Sequence, residues 1–220
     1  MKKFLDKSNK LFDLPLGVPS RLLVIASAIA LIGAFIFPLW NMTFTSTQYP
    51  DGLRLYIYSG KLAGQVTLNR VDLEEINNLN HYIGMRPLME SDFPEFTYLP
   101  FIFGVLILLA LRAVVLGKTS KLVDLFILIL YIGIFSVFDF HNKLYAYGHN
   151  LNPQAAIKIQ PFTPPLFGTN QLAQFTVDSY PALGSVALFL CWVMLFVALI
   201  LQVRMLSQSE TLKQQVSELP

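Results

Sequence analysis

The sequence predicts an all-α membrane protein: a bundle of four transmembrane helices with an ordered extracytoplasmic cap that contains a short β-hairpin and a short helix. Three observations predict it. Of the 220 residues 54% are hydrophobic and only 14% charged, and the apolar ones are gathered into long blocks instead of being dispersed as in a soluble core. Four of these blocks approach the roughly 20 residues a helix needs to cross a hydrocarbon core about 30 Å thick. The basic residues are also sorted by segment, as expected when positive charge resists translocation.

Taken in order, residues 1–20 form a basic segment with Lys2, Lys3, Lys7 and Lys10, and the first span covers 21–40. That block is too long for a signal-peptide core and ends in Phe37-Pro38-Leu39-Trp40 without a small-residue cleavage site, so it reads as a retained anchor. The outer segment 41–97 opens with two stretches rich in Thr, Tyr and branched residues, Thr43 to Tyr49 and Leu53 to Tyr58. The turn-forming Pro50-Asp51-Gly52 between them predicts a hairpin. Farther on, Leu73, Ile76 and Leu79 recur at helical spacing behind the acidic Asp72, Glu74 and Glu75, which predicts a short amphipathic helix leading into His81.

The second span covers 98–116, the basic turn 117–121 follows, and the third span covers 122–140. A second outer segment, 141–183, carries prolines at 153, 161, 164 and 165, which argue for an ordered loop over a long regular element. The fourth span is 184–203 and the tail 204–220. Ten of the sixteen Lys and Arg residues fall in the termini, the 117–121 turn and the span ends beside them, so both termini are expected in the cytoplasm of a bacterial inner membrane.

Several functions are disfavoured. A net charge of +2 without a basic stripe gives no footprint for nucleic acid. The lone Cys191 allows neither an internal disulfide nor a thiolate cluster. Gly117-Lys118-Thr119 echoes a phosphate loop, but the required earlier glycine is Arg112. Nucleophile elbows and zinc-protease motifs are missing, so the sequence favours a non-enzymatic role. Arg112 and Asp124 either pair across the turn, the default expectation, or snorkel separately, and Trp40, Tyr98, Tyr145 and Tyr147 are expected to form an interfacial aromatic belt.

The remaining chemistry lies in the two outer segments, which hold all three histidines. His81 and Met85 are four residues apart, which in a helix places both on one face, and imidazole with thioether suits reduced copper. His141 and His149 follow the third block. Eight residues apart in one unbroken helix they stand about 12 Å from each other, so a site shared by both requires a break at Gly148.

Through Gln48-Tyr49-Pro50-Asp51-Gly52-Leu53, Leu79 to Met85, Tyr147-Gly148-His149-Asn150-Leu151-Asn152-Pro153 and Pro164-Pro165-Leu166, the sequence resembles a bacterial multi-span membrane protein family associated with nitrous oxide reductase accessory genes. The resemblance covers nearly the whole chain. It implies a part in copper delivery to, maturation of, or electron supply for that periplasmic copper enzyme, with His81, Met85 and His149 as the residues of metal character. His141 falls outside the motif, and no catalytic mechanism comes with the resemblance.

Two function classes follow. In the first, the outer segments meet and bind copper reversibly at His81, Met85 and His149 for exchange with a periplasmic copper protein. In the second, the chain is a structural docking subunit of a larger membrane complex, such as a respiratory one, and its histidines only make hydrogen bonds. A membrane oxidoreductase is a third and weaker reading.

Overall fold

The structure, a computed structural model, describes residues 9–172 and 174–217. Lys2, Lys3 and Lys7 of the basic N-terminal segment lie outside the described residues. The elements are α1 (Val18–Ile36), β1 (Trp40–Thr45), β2 (Leu53–Ile57), β3 (Leu62–Gly64), β4 (Val66–Thr67), β5 (Arg70–Val71) and α2 (Asp72–Tyr82), then α3 (Glu95–Leu116), α4 (Thr119–His149), β6 (Gly168–Leu172), β7 (Phe175–Pro181) and α5 (Leu183–Ser217). The fold is mostly helical with a small sheet. Among the described residues four helices are long and apolar enough to cross a membrane: α1, α3, α4 and the Leu183–Ser209 part of α5.

The chain divides into two compact units. The helical unit comprises the residues through Ile32, Phe103–Ile132 and those from Ala187 onward. Its burial runs opposite to that of a soluble protein, because large apolar side chains such as Val18, Leu22, Ile29, Leu108 and Val115 are exposed while Ser20, Ser27, Thr119 and Gln202 are buried. Small residues, among them Ala28, Ala110, Ala113, Cys191 and Ala198, fill the interior, as in bundles whose outer face meets lipid. The buried Ser20, Ser27, Thr119 and Gln202 side chains find partners in one another or in backbone carbonyls. Gln202 and Ser20 hydrogen-bond at 2.6 Å, and Thr119 Oγ1 donates to the Leu14 carbonyl at 2.8 Å. The predicted Arg112–Asp124 pair gives way to a local one, since Lys121 reaches Asp124 at 2.9 Å from one helical turn away.

The sheet unit comprises Gly33–Ile102 and Gly133–Val186. Its five-stranded antiparallel sheet has the order β3-β2-β1-β7-β6. The hairpin is there, with Trp40 opposite Ile57 and Phe44 opposite Leu53. The segment 141–183 departs from the expected loop. It supplies β6 and β7, and β7 pairs along the other side of β1 from Trp40–Pro181 to Thr45–Thr176. Prolines 153, 161, 164 and 165 all precede Gly168, so none interrupts a ladder. Met42, Leu53, Leu55, Leu62, Ile76, Leu144 and Val177 form one core, with Trp40, Phe44, Leu88, Phe93, Phe96 and Phe140 packed against it. Strands from both long segments, α2 and the last turns of α4 therefore share a single apolar interior.

Candidate functional site where the two long segments join

The first half of the site is the end of α2. Asp72 anchors the start of this helix: its fully buried carboxylate accepts from the Arg54 backbone N–H at 2.8 Å and pairs with Arg70 Nε at 2.7 Å. Acidic residues in the first turn complement the helix dipole. At the other end Gly84 adopts φ +80°, a conformation costly for residues with a side chain. The N–H of Met85 then donates to the Asn80 carbonyl at 2.8 Å and that of Gly84 to the His81 carbonyl at 3.2 Å, the bond pair of a Schellman cap. This corrects the expected geometry of His81 and Met85. The helix stops at Tyr82, so the two residues do not share a helical face, and the chain instead turns back with Met85 bonded beside the last turn.

The second half is the end of α4. This helix runs unbroken for 31 residues to His149, well past the third apolar block. Gly148 does not break it, so His141 and His149 remain two turns apart. Gly148 instead permits close approach: a Cβ there would lie 1.8 Å from the Phe162 carbonyl oxygen, and Phe162 N–H donates to the Gly148 carbonyl at 3.1 Å. The His149 ring stacks on Tyr145 with 3.8 Å between centroids. Its Nδ1 lies 3.0 Å from the Tyr145 carbonyl oxygen. A carbonyl can only accept, which assigns the proton of the neutral ring to Nδ1 and leaves the Nε2 lone pair for a ligand.

The halves are joined by backbone. Asn152 N–H donates to the Gly84 carbonyl at 2.8 Å and Ile157 N–H to the Tyr82 carbonyl at 2.9 Å. The Arg86 guanidinium lies over the Tyr147 ring, 5.4 Å from its centroid. The segment bearing His81 and Met85 is thus fastened to the one that follows His149. His81 is exposed, while Met85 and His149 are half-buried.

A polar stripe beside this junction escaped the sequence reading. Asp139, Lys143 and Tyr147, each four residues from the next, occupy one face of α4 and meet the segment 92–96. Lys143 Nζ lies 3.3 Å from Glu95 Oε1, donates to the Asp92 carbonyl at 3.2 Å and faces the Phe93 ring. Tyr147 stacks on Phe93 at 5.7 Å, and its hydroxyl donates to Asp92 Oδ2 at 3.2 Å. The stripe works as a clamp that fixes the end of α4. Tyr147 and Trp40 accordingly leave the expected aromatic belt: Tyr147 is buried, and Trp40 donates to Ser179 Oγ at 2.8 Å while packing edge-on against Phe140. Tyr98 and Tyr145 are exposed. The signal that could have revealed the stripe was the four-residue spacing of Asp139, Lys143 and Tyr147 at the end of an apolar block.

Among the described residues no three or more His, Cys, Asp or Glu side chains gather as a metal-binding group. Of the three donors expected from the sequence, His81 and His149 belong to these types and Met85 does not. No family model matches the chain, and no curated protein matches it.

Proposed function

We propose that this chain is a four-span accessory protein of a bacterial inner membrane, with both termini cytoplasmic and its sheet unit on the outer side. There it takes up cuprous copper as cargo at His81, Met85 and His149, for delivery to or maturation of a periplasmic copper enzyme such as nitrous oxide reductase. The observation that carries this reading is the seam between the long segments: bonds from Asn152 to Gly84 and from Ile157 to Tyr82 bring donor-bearing stretches far apart in sequence to one place. The His149 ring supports it, because the Nδ1 bond to the Tyr145 carbonyl leaves the Nε2 lone pair for a ligand, as the backbone partner of a ligating histidine does. Imidazole and thioether suit reduced copper without the grip of a thiolate cluster, which fits a carrier that must release what it binds. The partner enzyme comes from the family resemblance.

The test is anaerobic titration of the detergent-purified full chain with Cu(I) against a chromogenic competitor. Stoichiometric binding that is lost in the double variant His81→Ala, His149→Ala is expected. A wild-type chain that never competes for Cu(I) would sink the proposal.

One observation favours the docking-subunit reading. β6 lies at a sheet edge, and beside it Phe167 (67% exposed) and Tyr180 (44% exposed) meet edge-to-face at 5.3 Å. Stable co-purification of partner subunits without metal would select that reading.

A further inference from the structure

We propose that the open face of the five-stranded sheet binds the headgroup of an ethanolamine phospholipid from the leaflet on its side of the membrane. The inference is independent of the copper reading. α2 and the last turns of α4 pack on the face that carries Met42, Leu55 and Val177. Alternation along each strand sends the neighbours of these residues to the other face, and the register sorts them into rows. Tyr56 and Tyr180 flank Asn41 in one row, and Arg54 and Asp178 flank Thr43 in the next. Directly opposed residues of antiparallel strands have Cβ atoms about 5 Å apart, so each row is a strip about 10 Å wide.

Two groups in these rows have no protein partner. The Asn41 Oδ1 atom is buried and accepts no hydrogen bond. Buried acceptors are nearly always paired, so an orphan marks a place where a donor is missing. The Arg54 side chain is exposed and, among the described residues, makes no ion pair. Across Thr43 from it, the Asp178 carboxylate accepts from Thr169 Oγ1 at Oδ1, which leaves Oδ2 for a ligand. The face thus offers one positive and one negative group on either side of a single residue.

Its position suits a lipid. Leu39 N–H donates to the Ile57 carbonyl at 2.8 Å, Ala182 N–H to the Leu39 carbonyl at 3.0 Å and Gly184 N–H to the Pro38 carbonyl at 2.8 Å. These bonds tie the end of α1 and the start of α5 to the strands, and Asn41 follows the tie by two residues, about 7 Å at strand rise. Tyr180 is 44% exposed and Phe167 beside it 67%, as aromatic rings are at a membrane interface. An ethanolamine headgroup matches the charges. Its ammonium donates to Asn41 and Asp178 and lies against the Tyr180 ring, while its phosphate pairs with Arg54, whose long stem lets the guanidinium reach along the strand. Choline has no N–H for Asn41, and a glycerol headgroup has no cation for Asp178.

The experiment is native mass spectrometry of the full chain in detergent, titrated separately with phosphatidylethanolamine, phosphatidylcholine and phosphatidylglycerol of identical acyl chains, and with soluble phosphoethanolamine. Retention of one phosphatidylethanolamine, about tenfold tighter than either other lipid, is expected. Arg54→Gln alters an exposed side chain and Asp178→Asn keeps an acceptor for Thr169. Each should weaken that binding about tenfold with the thermal midpoint unchanged. Equal retention of the three lipids would overturn the proposal and leave the face to protein docking. Wild-type lipid binding in both variants would overturn the placement of the site, and soluble phosphoethanolamine binding as tightly as the lipid would overturn the membrane as its source.

Discussion

Gly84→Ala tests the seam directly. At φ +80° an alanine is held in the left-handed region at a cost of about 1–2 kcal/mol. Its Cβ would also stand 2.8 Å from the Asn152 carbonyl oxygen and 2.8 Å from Ala155 Cβ. The oxygen belongs to backbone, so relief requires residues 152–155 to move away, which strains the bond from Asn152 N–H to the Gly84 carbonyl, worth about 1 kcal/mol. Together these effects weaken the junction by about 2–3 kcal/mol, a factor of roughly 30 to 150 in its closing equilibrium. Hydrogen exchange read by mass spectrometry should show the Asn152 and Ile157 amides exchanging faster by about that factor, with the helical unit unchanged. Cuprous affinity should fall in parallel, since the donors come from both sides of the seam. Wild-type protection of Asn152 and Ile157 in this variant would refute the idea that Gly84 closes the junction.

Other expectations concern the supports of the site and the topology. Asp72→Asn removes the charge that holds Arg70 and weakens the acceptor for the Arg54 N–H; it should destabilise the sheet unit by about 2 kcal/mol, visible as a lower thermal midpoint. Burial, and then the hydrogen bond to Glu75, raise the Tyr49 pKa above its usual 10.0. Its neutral form is thus favoured in the folded state, and the stability it confers is complete below pH 10 and lost as pH rises through the folded pKa. Tyr49→Phe should flatten that alkaline decline, and the difference between the two proteins in absorbance titration at 295 nm should show a phenol ionising above the ordinary range. Reporter fusions at residues 65 and 160 should read as external and one at 119 as internal. An internal signal at 65 would reverse the proposed orientation.

The sequence made the helices and the hairpin legible because both depend on local pattern. Apolar blocks of membrane length need no partner to be recognised, and Pro50-Asp51-Gly52 between two β-rich stretches specifies a turn by its own chemistry. β6 and β7 were harder to see. The stretch from Gly168 to Pro181 holds Thr, Asn, Gln, Asp and Ser with few apolar residues, and only Val177 and Ser179 of β7 are buried. Its strand character comes from tertiary pairing with β1, more than a hundred residues earlier, and cross-strand context of that kind outweighs intrinsic propensity.

The candidate site divides along the same line. Residue types suggested it: the three histidines, confined to the two long segments, are visible in one dimension, as is the helix leading into His81. What spacing suggested about their arrangement was only half right, because i, i+4 implies a shared face only while the helix continues, and Gly84 ends it between His81 and Met85. The same glycine that removes Met85 from the helical face presents its carbonyl to Asn152 and turns the chain so that Leu88 reaches Asn77. A left-handed glycine just after an amphipathic helix is readable as a stop. Where the chain goes after such a stop depends on partners beyond the helix end, and here these are an Asn side chain on the same helix and backbone N–H donors of a segment some seventy residues away. Gly148 shows the converse: a site shared by His141 and His149 required it to break the helix, yet it stays helical, and the Phe162 backbone occupies the space that a Cβ would fill. Glycines flanking donor-bearing segments therefore carry two different messages, a turn or a close approach, and only the position of the opposing backbone tells them apart.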